Sequence, residues 1–260
     1  MSQPGSQKLV LIDGNSLLYR AFFALPPLTN AKGEVTNAVY GFTTMLLKIM
    51  DEEQPDLVAV AFDLPTPTFR HERYAEYKAT RQQMPEELGP QIEMTRQVLE
   101  AMHVPVYDLE SYEADDIIGT LASEAEARGF RVLVVTGDLD ELQLVSERVS
   151  VMVTRRGITD TKVYDPAAVR ERYGFTPDKL PDFRALRGDT SDNIPGVPGI
   201  GDKTAAALVM RYGSLEGVLE HAEEVTPRRI AEALEAHADL ARRAKELARI
   251  VRDAPIEFDP

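Results

Sequence analysis

The stretch "RVLVVTGDLD", residues 131–140, decides the fold. Its β-branched, apolar run is too short for a buried helix and alternates with nothing polar, so it reads as a strand covered on both faces. The run stops at Gly137, and two aspartates, Asp138 and Asp140, follow at once. The same grammar recurs in "KLVLID" (8–13), which ends in Asp13, and "LVAVAFD" (57–63), which ends in Asp63. "VSVMVT" (149–154) reads as a fourth strand. Helical patterns over 38–53, 88–102 and 114–128 lie among them; in the last, Ile117, Ile118, Leu121, Ala122 and Ala125 share a face and Gly129 supplies the stop. Strands alternating with helices specify an α/β fold with a mostly parallel central sheet flanked by helices.

In such a sheet, ligands bind beyond the carboxyl ends of the strands. Three strands finishing in Asp therefore set carboxylates side by side on one edge. A helix after a strand starts where the strand stops, so "SYEADDIIGTLA" (111–122) adds Glu113, Asp115 and Asp116. Taken alone, those three are also what a helix start needs: Ser111 can cap, and acidic residues in the first turn favour the positive end of the dipole. Each strand-end Asp is likewise an ordinary turn residue by itself. Together they would be electrically intolerable in a poorly solvated cleft, because like charges a few ångströms apart raise one another's pKa. Hard divalent cations, Mg²⁺ or Mn²⁺, relieve that crowding.

The rest of the chain narrows the classes. Its 260 residues suffice for one large domain or two small ones, and 43% hydrophobic with 28% charged residues is ordinary for a globular protein. There is no cysteine, which excludes disulfides and thiolate zinc sites and fits a reducing cytoplasm. The polar opening "MSQPGSQ" is no signal peptide, and no apolar run is long enough to span a bilayer. A net charge of −14 argues at first against nucleic acid, yet nine carboxylates gathered in one metal site would account for most of it.

From about residue 165 the sequence changes to short helices joined by Pro and Gly turns, which puts a boundary near 175: a core over 1–175 and a helical region over 176–260. There "RGDTSDNIPGVPGIGDKTAAAL" (187–208) holds Asp189 and Asp192, three apart and able to share a face, then a Gly-rich turn opening a helix. The turn follows no strand, so it is no dinucleotide fingerprint. It reads as a helix-hairpin-helix-like element over about 184–212, in which Gly196, Gly199 and Gly201 let a backbone pass close while Lys203, Thr204 and helix-start N–H groups receive a phosphate. A plain helix–turn–helix connection is the alternative. "FRHERYAEYKATRQQMPEEL" (69–88) is basic and aromatic with little apolar stripe, and is expected to stand off the core as a helical or mobile excursion. Its cations with Tyr74 and Tyr77 interleaved suit a single strand, charge following the backbone and rings stacking on bases; a solvated helix face is the alternative.

"LVLIDGNSLLYRAFFALPPL", "VAFDLPTPTFRHERYAEYKATR", "YEADDIIGTLA", "VTGDLDELQL" and "GDTSDNIPGVPGIGDKTA", in that order, resemble the successive motifs of the 5′ nuclease (5′→3′ exonuclease) domain of bacterial DNA polymerase I, within the flap endonuclease family. The resemblance runs from about residue 8 to the end. It implies two Mg²⁺ (or Mn²⁺) held by Asp13, Asp63, Glu113, Asp115, Asp116, Asp138, Asp140, Asp189 and Asp192. It implies that 69–90 is a helical arch or clamp for a 5′ single strand, with Tyr77 stacking on a base, Lys78 and Arg81 at the scissile phosphate as electrostatic stabilisers, and Arg20 and Arg70 assisting there or on adjoining DNA. It implies a K⁺ ion at the hairpin, which would grip duplex DNA. The expected activity is two-metal hydrolysis of DNA with a 5′ flap, nick or 5′ end to 5′-phosphate and 3′-hydroxyl products, in repair and in removal of primers including RNA. The expected setting is a monomer in the bacterial cytoplasm, nucleoid-associated, with no membrane partner, either an excised polymerase domain or a stand-alone nuclease. Leu139 departs from the pattern, which commonly has a basic residue there. The alternatives are a flap- or branched-DNA-binding module without chemistry, or a Mg-dependent phosphatase.

Overall fold

The computed structural model describes residues 7–157 and 160–259; the opening read as no signal peptide lies, from 1 to 6, outside them. The strands are β1 (Lys8–Asp13), β2 (Leu57–Ala61), β3 (Val106–Tyr107), β4 (Arg131–Thr136), β5 (Val149–Arg156) and β6 (Asp160–Tyr164). The helices are α1 (Gly14–Ala24), α2 (Asn37–Glu53), α3 (Phe69–Arg73), α4 (Gly89–Ala101), α5 (Ala114–Ala127), α6 (Pro166–Tyr173), α7 (Leu180–Arg187), α8 (Asp202–Tyr212), α9 (Leu215–Glu220), α10 (Arg228–Ala236) and α11 (Ala238–Ala248). Contacts group them into two compact units, one of residues 1–66, 83–165 and 251–260, the other of 67–82 and 166–250.

The first unit is built on one six-stranded sheet in the order β3-β2-β1-β4-β5-β6. The first five strands are parallel, and β6 closes the edge antiparallel to β5. The chain winds one way from β1 to β2 and the other way to β4, so the switch of direction falls between β1 and β4, where an open α/β sheet parts to admit a ligand. The four apolar runs are strands because both faces are covered: Val10, Ile12, Val60 and Val135 are fully buried with Leu17, Phe42, Leu46 and Phe62. Helix α2 presents Ala38, Phe42, Met45, Leu46 and Ile49 to that core at helical spacing and stops at Gln54, which is left-handed (φ 43). Gly41 lets α1 and α2 approach: a Cβ there would lie 2.6 Å from the Ala21 methyl. Helix α1, β3 and β6 were not expected; α1 starts on the Asp13 cap and buries Leu17, Leu18 and Ala21.

Residues 251–259 pack as an irregular strap along α5. The N–H groups of Val251, Ala254 and Phe258 donate to Asp116 Oδ1 (2.8 Å), Thr120 Oγ1 (3.0 Å) and Glu124 Oε2 (3.0 Å), successive partners down one face of the helix. Phe258 is buried and meets the Phe130 ring edge-on at 5.6 Å.

In the second unit the excursion does not stand off. After α3 it continues in turns, and Tyr77 joins Ile194, Ala244, Leu247 and Ala248 in a small core. Arg70 is also buried, its guanidinium donating to the carbonyls of Leu247 (2.9 Å) and Arg249 (2.8 Å) at the end of α11. A search for aliphatic periodicity misses this burial because one phenol ring and one guanidinium supply it. Asp189 and Asp192 share no helix face either; they lie in a turn between α7 and α8. At its end Gly196 passes against Arg187 and Gly188 so closely that a Cβ would fall 2.3 Å from the Arg187 carbonyl.

The strap makes a measurable demand. Phe258→Ala should lower the stability of the first unit by about 3–5 kcal/mol in urea unfolding, the cost of truncating a buried aromatic. A loss under about 1 kcal/mol would show that the strap is not part of that core.

Candidate metal centre

Asp13 ends β1 and caps α1, one oxygen accepting the Ser16 N–H at 2.9 Å. The other accepts from the Thr136 hydroxyl (3.0 Å) at the end of β4, and that hydroxyl in turn accepts the Asp138 N–H (3.0 Å). Ser16 Oγ accepts the Gly137 N–H at 2.7 Å, and a Cβ on Gly137 would sit 2.7 Å from that same oxygen, so the turn needs glycine. Asp63, just past β2, donates its N–H to Asn15 Oδ1 (3.1 Å) and accepts the Ala114 N–H at the start of α5 (2.8 Å). Three strand ends and one helix start are thereby laced together. Asn15, Ser16 and Thr136 hold the lacing and were not singled out from sequence; only Ser16 has a signal there, its N–H lying three residues after a capping Asp.

The acidic crowd at 113–116 divides its labour. Glu113, not Ser111, is the N-cap of α5, and Glu113 and Asp116 form a reciprocal capping box. Asp116 is fully buried with one oxygen on the Glu113 N–H (3.1 Å) and the other on the Val251 N–H (2.8 Å). Asp115 meets the strand-end carboxylates. One oxygen each from Asp115, Asp13 and Glu141 lie within 4.8 Å of one another.

Glu141 is the residue that sequence reasoning missed. It sits in the 3₁₀ turn Asp140–Leu144 after β4, fully buried, and neither carboxylate oxygen receives a hydrogen bond from a donor group. Burial, and then the charges of Asp115, Asp13 and Asp138, push its pKa well above the carboxylate range. Its polar neighbour Asp115 can accept from it only while Glu141 is protonated. Burial likewise raises Asp13 to about 7; the Ser16 N–H opposes this, and the Asp63 charge adds to it. Asp140 N–H donates to Asp138 Oδ1 at 2.9 Å, drawing the two acids of the turn together. Five carboxylates, those of Asp13, Asp63, Asp115, Asp138 and Glu141, therefore act on one another here.

The donor set fits a hard divalent ion: every donor is a carboxylate oxygen, Asp13 and Glu141 are buried, Asp115 is half-buried, and Glu141 is orphaned. Arg20 is committed to backbone carbonyls of Thr154 and Arg155 on β5, both at 2.9 Å.

The remaining expected residues belong to the second unit. Asp189 is buried, 3.4 Å from Arg184 Nη1, and accepts the Ser191 N–H (2.8 Å). Asp192 accepts from Arg81 Nη2 (2.5 Å) and the Tyr77 hydroxyl (3.1 Å), with Lys78 Nζ at 3.9 Å. Both are neutralised acids rather than crowded ones. Tyr77 is buried with Lys78 over its ring at 5.0 Å, so its ring is occupied within the protein. Gly199 is left-handed (φ 81), Gly201 caps α8, Lys203 is exposed and Thr204 half-buried.

Residues 8–174 match the family model for the 5′-3′ exonuclease N-terminal resolvase-like domain, and 175–260 match that for the 5′-3′ exonuclease C-terminal SAM fold. DNA polymerase I of Bacillus caldotenax is 55% identical over 252 residues, 97% of this chain and 29% of that protein. DNA polymerase I of Bacillus subtilis is 52% identical over 96% of this chain and 28% of its own length. The chain thus spans under a third of these relatives. Among solved structures, a phage T5 5′-exonuclease with bound zinc shares 21% identity at a TM-score of 0.77, covering 93% of this chain and 89% of that one. A phage T5 flap endonuclease in a complex with DNA and metal ions gives 21% and 0.76 over the same shares. At that identity the likeness is one of fold.

The raised pKa of Asp13 fixes a sign. The unfolded chain releases this proton near 3.8 and the folded chain holds it to about 7, so the group's contribution to stability is full below the first value and lost as pH rises through the second. In chelated buffer, the stability difference between wild type and Asp13→Asn should shift against wild type across that range, and a divalent cation should restore wild type at high pH. A pH-independent difference in urea unfolding would contradict the assignment.

Proposed function

The chain belongs to the 5′-3′ exonuclease family, and from that premise we propose that it is a structure-specific 5′ nuclease. Its substrates are DNA with a 5′ flap, nick or 5′ end, and its products a 5′-phosphate and a 3′-hydroxyl. The observation that carries this reading is the convergence of Asp13, Asp115 and Glu141 oxygens within 4.8 Å, with Asp63 and Asp138 acting on them. Asp13, Asp63, Asp115 and Asp138 would hold Mg²⁺ or Mn²⁺ directly. Glu113 and Asp116 orient Asp115 by fixing the first turn of α5. Asp140 sets Asp138 through its N–H, while Asp189 and Asp192 are further ligands on the family resemblance alone.

The metal ions, when bound, supply an activated water and neutralise charge at phosphorus and at the leaving oxygen. The chain's own part is to hold the carboxylates in place and to bring cations to the phosphate. Lys78 and Arg81 are paired with Asp192. Engaging a phosphate exchanges one anion for another, so these cations stabilise charge rather than move protons. Arg70 and Tyr77 support that pair from the core beneath it. The hairpin from α7 to α8, with Gly201 and Lys203 at the start of α8, suits a duplex phosphate, and a K⁺ ion there belongs to the same resemblance. Fusion to a polymerase is supported by the relatives' length. Action on RNA primers, a monomeric state and a cytoplasmic, nucleoid setting complete the proposal.

The direct assay incubates a labelled 5′-flap duplex with protein and Mg²⁺, then with EDTA. Metal-dependent release of short 5′ fragments is expected; binding without release would favour a non-catalytic module. Lys78→Ala should cut the single-turnover rate by about 10²–10³-fold, the scale of losing one preorganised charge stabiliser. A change in affinity alone would rule out that role.

A further inference from the structure

We propose that Glu141 is itself a ligand of the divalent cation, completing a three-carboxylate seat with Asp13 and Asp115. The proposal deepens the reading above and rests on its metal site. Neither β4 nor the turn after it requires an acid at this position; the neighbouring Leu142 and Leu144 are buried apolar residues, and Glu141 is buried as fully as they are. A buried carboxylate ordinarily takes hydrogen bonds from backbone or side-chain donors, as Asp13 and Asp116 do here. Glu141 takes none, and it lies within 4.8 Å of oxygens from two other acids. An orphaned carboxylate pressed against like charges is costly, and the cost is relieved when a cation sits among them.

The distances agree. Ligands about 2.1 Å from an octahedral ion lie about 3 Å apart when adjacent and about 4.2 Å apart when opposite. Three oxygens already within 4.8 Å of one another need shift only slightly to meet that. Thr136 and the Ser16 N–H leave Asp13 with lone pairs to spare, and Asp115 enters from the first turn of α5, so the three acids come from three separate elements around one point. A site built this way carries one more negative charge than the strand-end aspartates and Asp115 supply, and binds divalent cations more tightly for it.

The test measures metal binding on metal-free protein without DNA. Mn²⁺ is titrated and the free ion followed by electron paramagnetic resonance at neutral pH, for wild type, Glu141→Gln and Glu141→Met. Either variant should weaken the tightest site by about tenfold or more. Thermal unfolding separates a ligand from a packing residue: without metal the variants should be at least as stable as wild type, and Mn²⁺ should raise their melting temperature less. Affinity within about twofold of wild type in a folded variant would overturn the proposal, as would a loss of metal-free stability with affinity unchanged. Wild type that binds no Mn²⁺ would instead sink the metal centre as a whole, a different failure.

Discussion

Acidic side chains buried at one edge of a parallel sheet cannot all carry charge unless a cation joins them. That constraint organises the first unit. Asp13, Asp63 and Asp138 stand at or just beyond the ends of β1, β2 and β4, around the switch of strand order, and α5 brings Asp115 to the same place. Hydrogen bonds from Ser16, Thr136 and Ala114 to the carboxylates, and from the Asp63 N–H to Asn15, hold the backbone and the acids against their mutual repulsion. What the protein leaves unsatisfied, the raised pKa of Asp13 and the donor-less Glu141, marks where a positive charge belongs.

Much of this was legible in the sequence because parallel strands have strict grammar. A run buried on both faces is apolar throughout, and a polar residue at its carboxyl end lies on the ligand edge; Asp13, Asp63 and Asp138, each an ordinary turn residue alone, were legible because three such runs end alike. Glu141 was not legible. It stands in a 3₁₀ turn, which has no side-chain period long enough to read, and beside Leu142 it resembles any solvent-facing acid. The acids at 113–116 show a subtler mixture. Helix-start chemistry and site chemistry are both present, but on different residues: Glu113 and Asp116 cap while Asp115 faces the cluster.

The second unit illustrates how cations can be kept ready for an anion. Asp192 collects Arg81, Lys78 and the Tyr77 hydroxyl on one carboxylate, and Lys78 is left-handed (φ 56) with its N–H on the Asp192 carbonyl. The basic segment was recognisable by composition, yet its anchoring was not. Arg70 and Tyr77, for which the family resemblance implies DNA contacts, are both buried in the segment that bears Lys78 and Arg81.

The most direct measurement is the anomalous diffraction of a crystal grown with Mn²⁺. A peak about 2.1 Å from carboxylate oxygens of both Asp13 and Asp115 is the expected result, since an ion there lets both carry their charge. A well-ordered crystal showing those two carboxylates with no ion among them, or with Mn²⁺ bound elsewhere on the surface, would contradict the claim that this sheet edge is a metal centre.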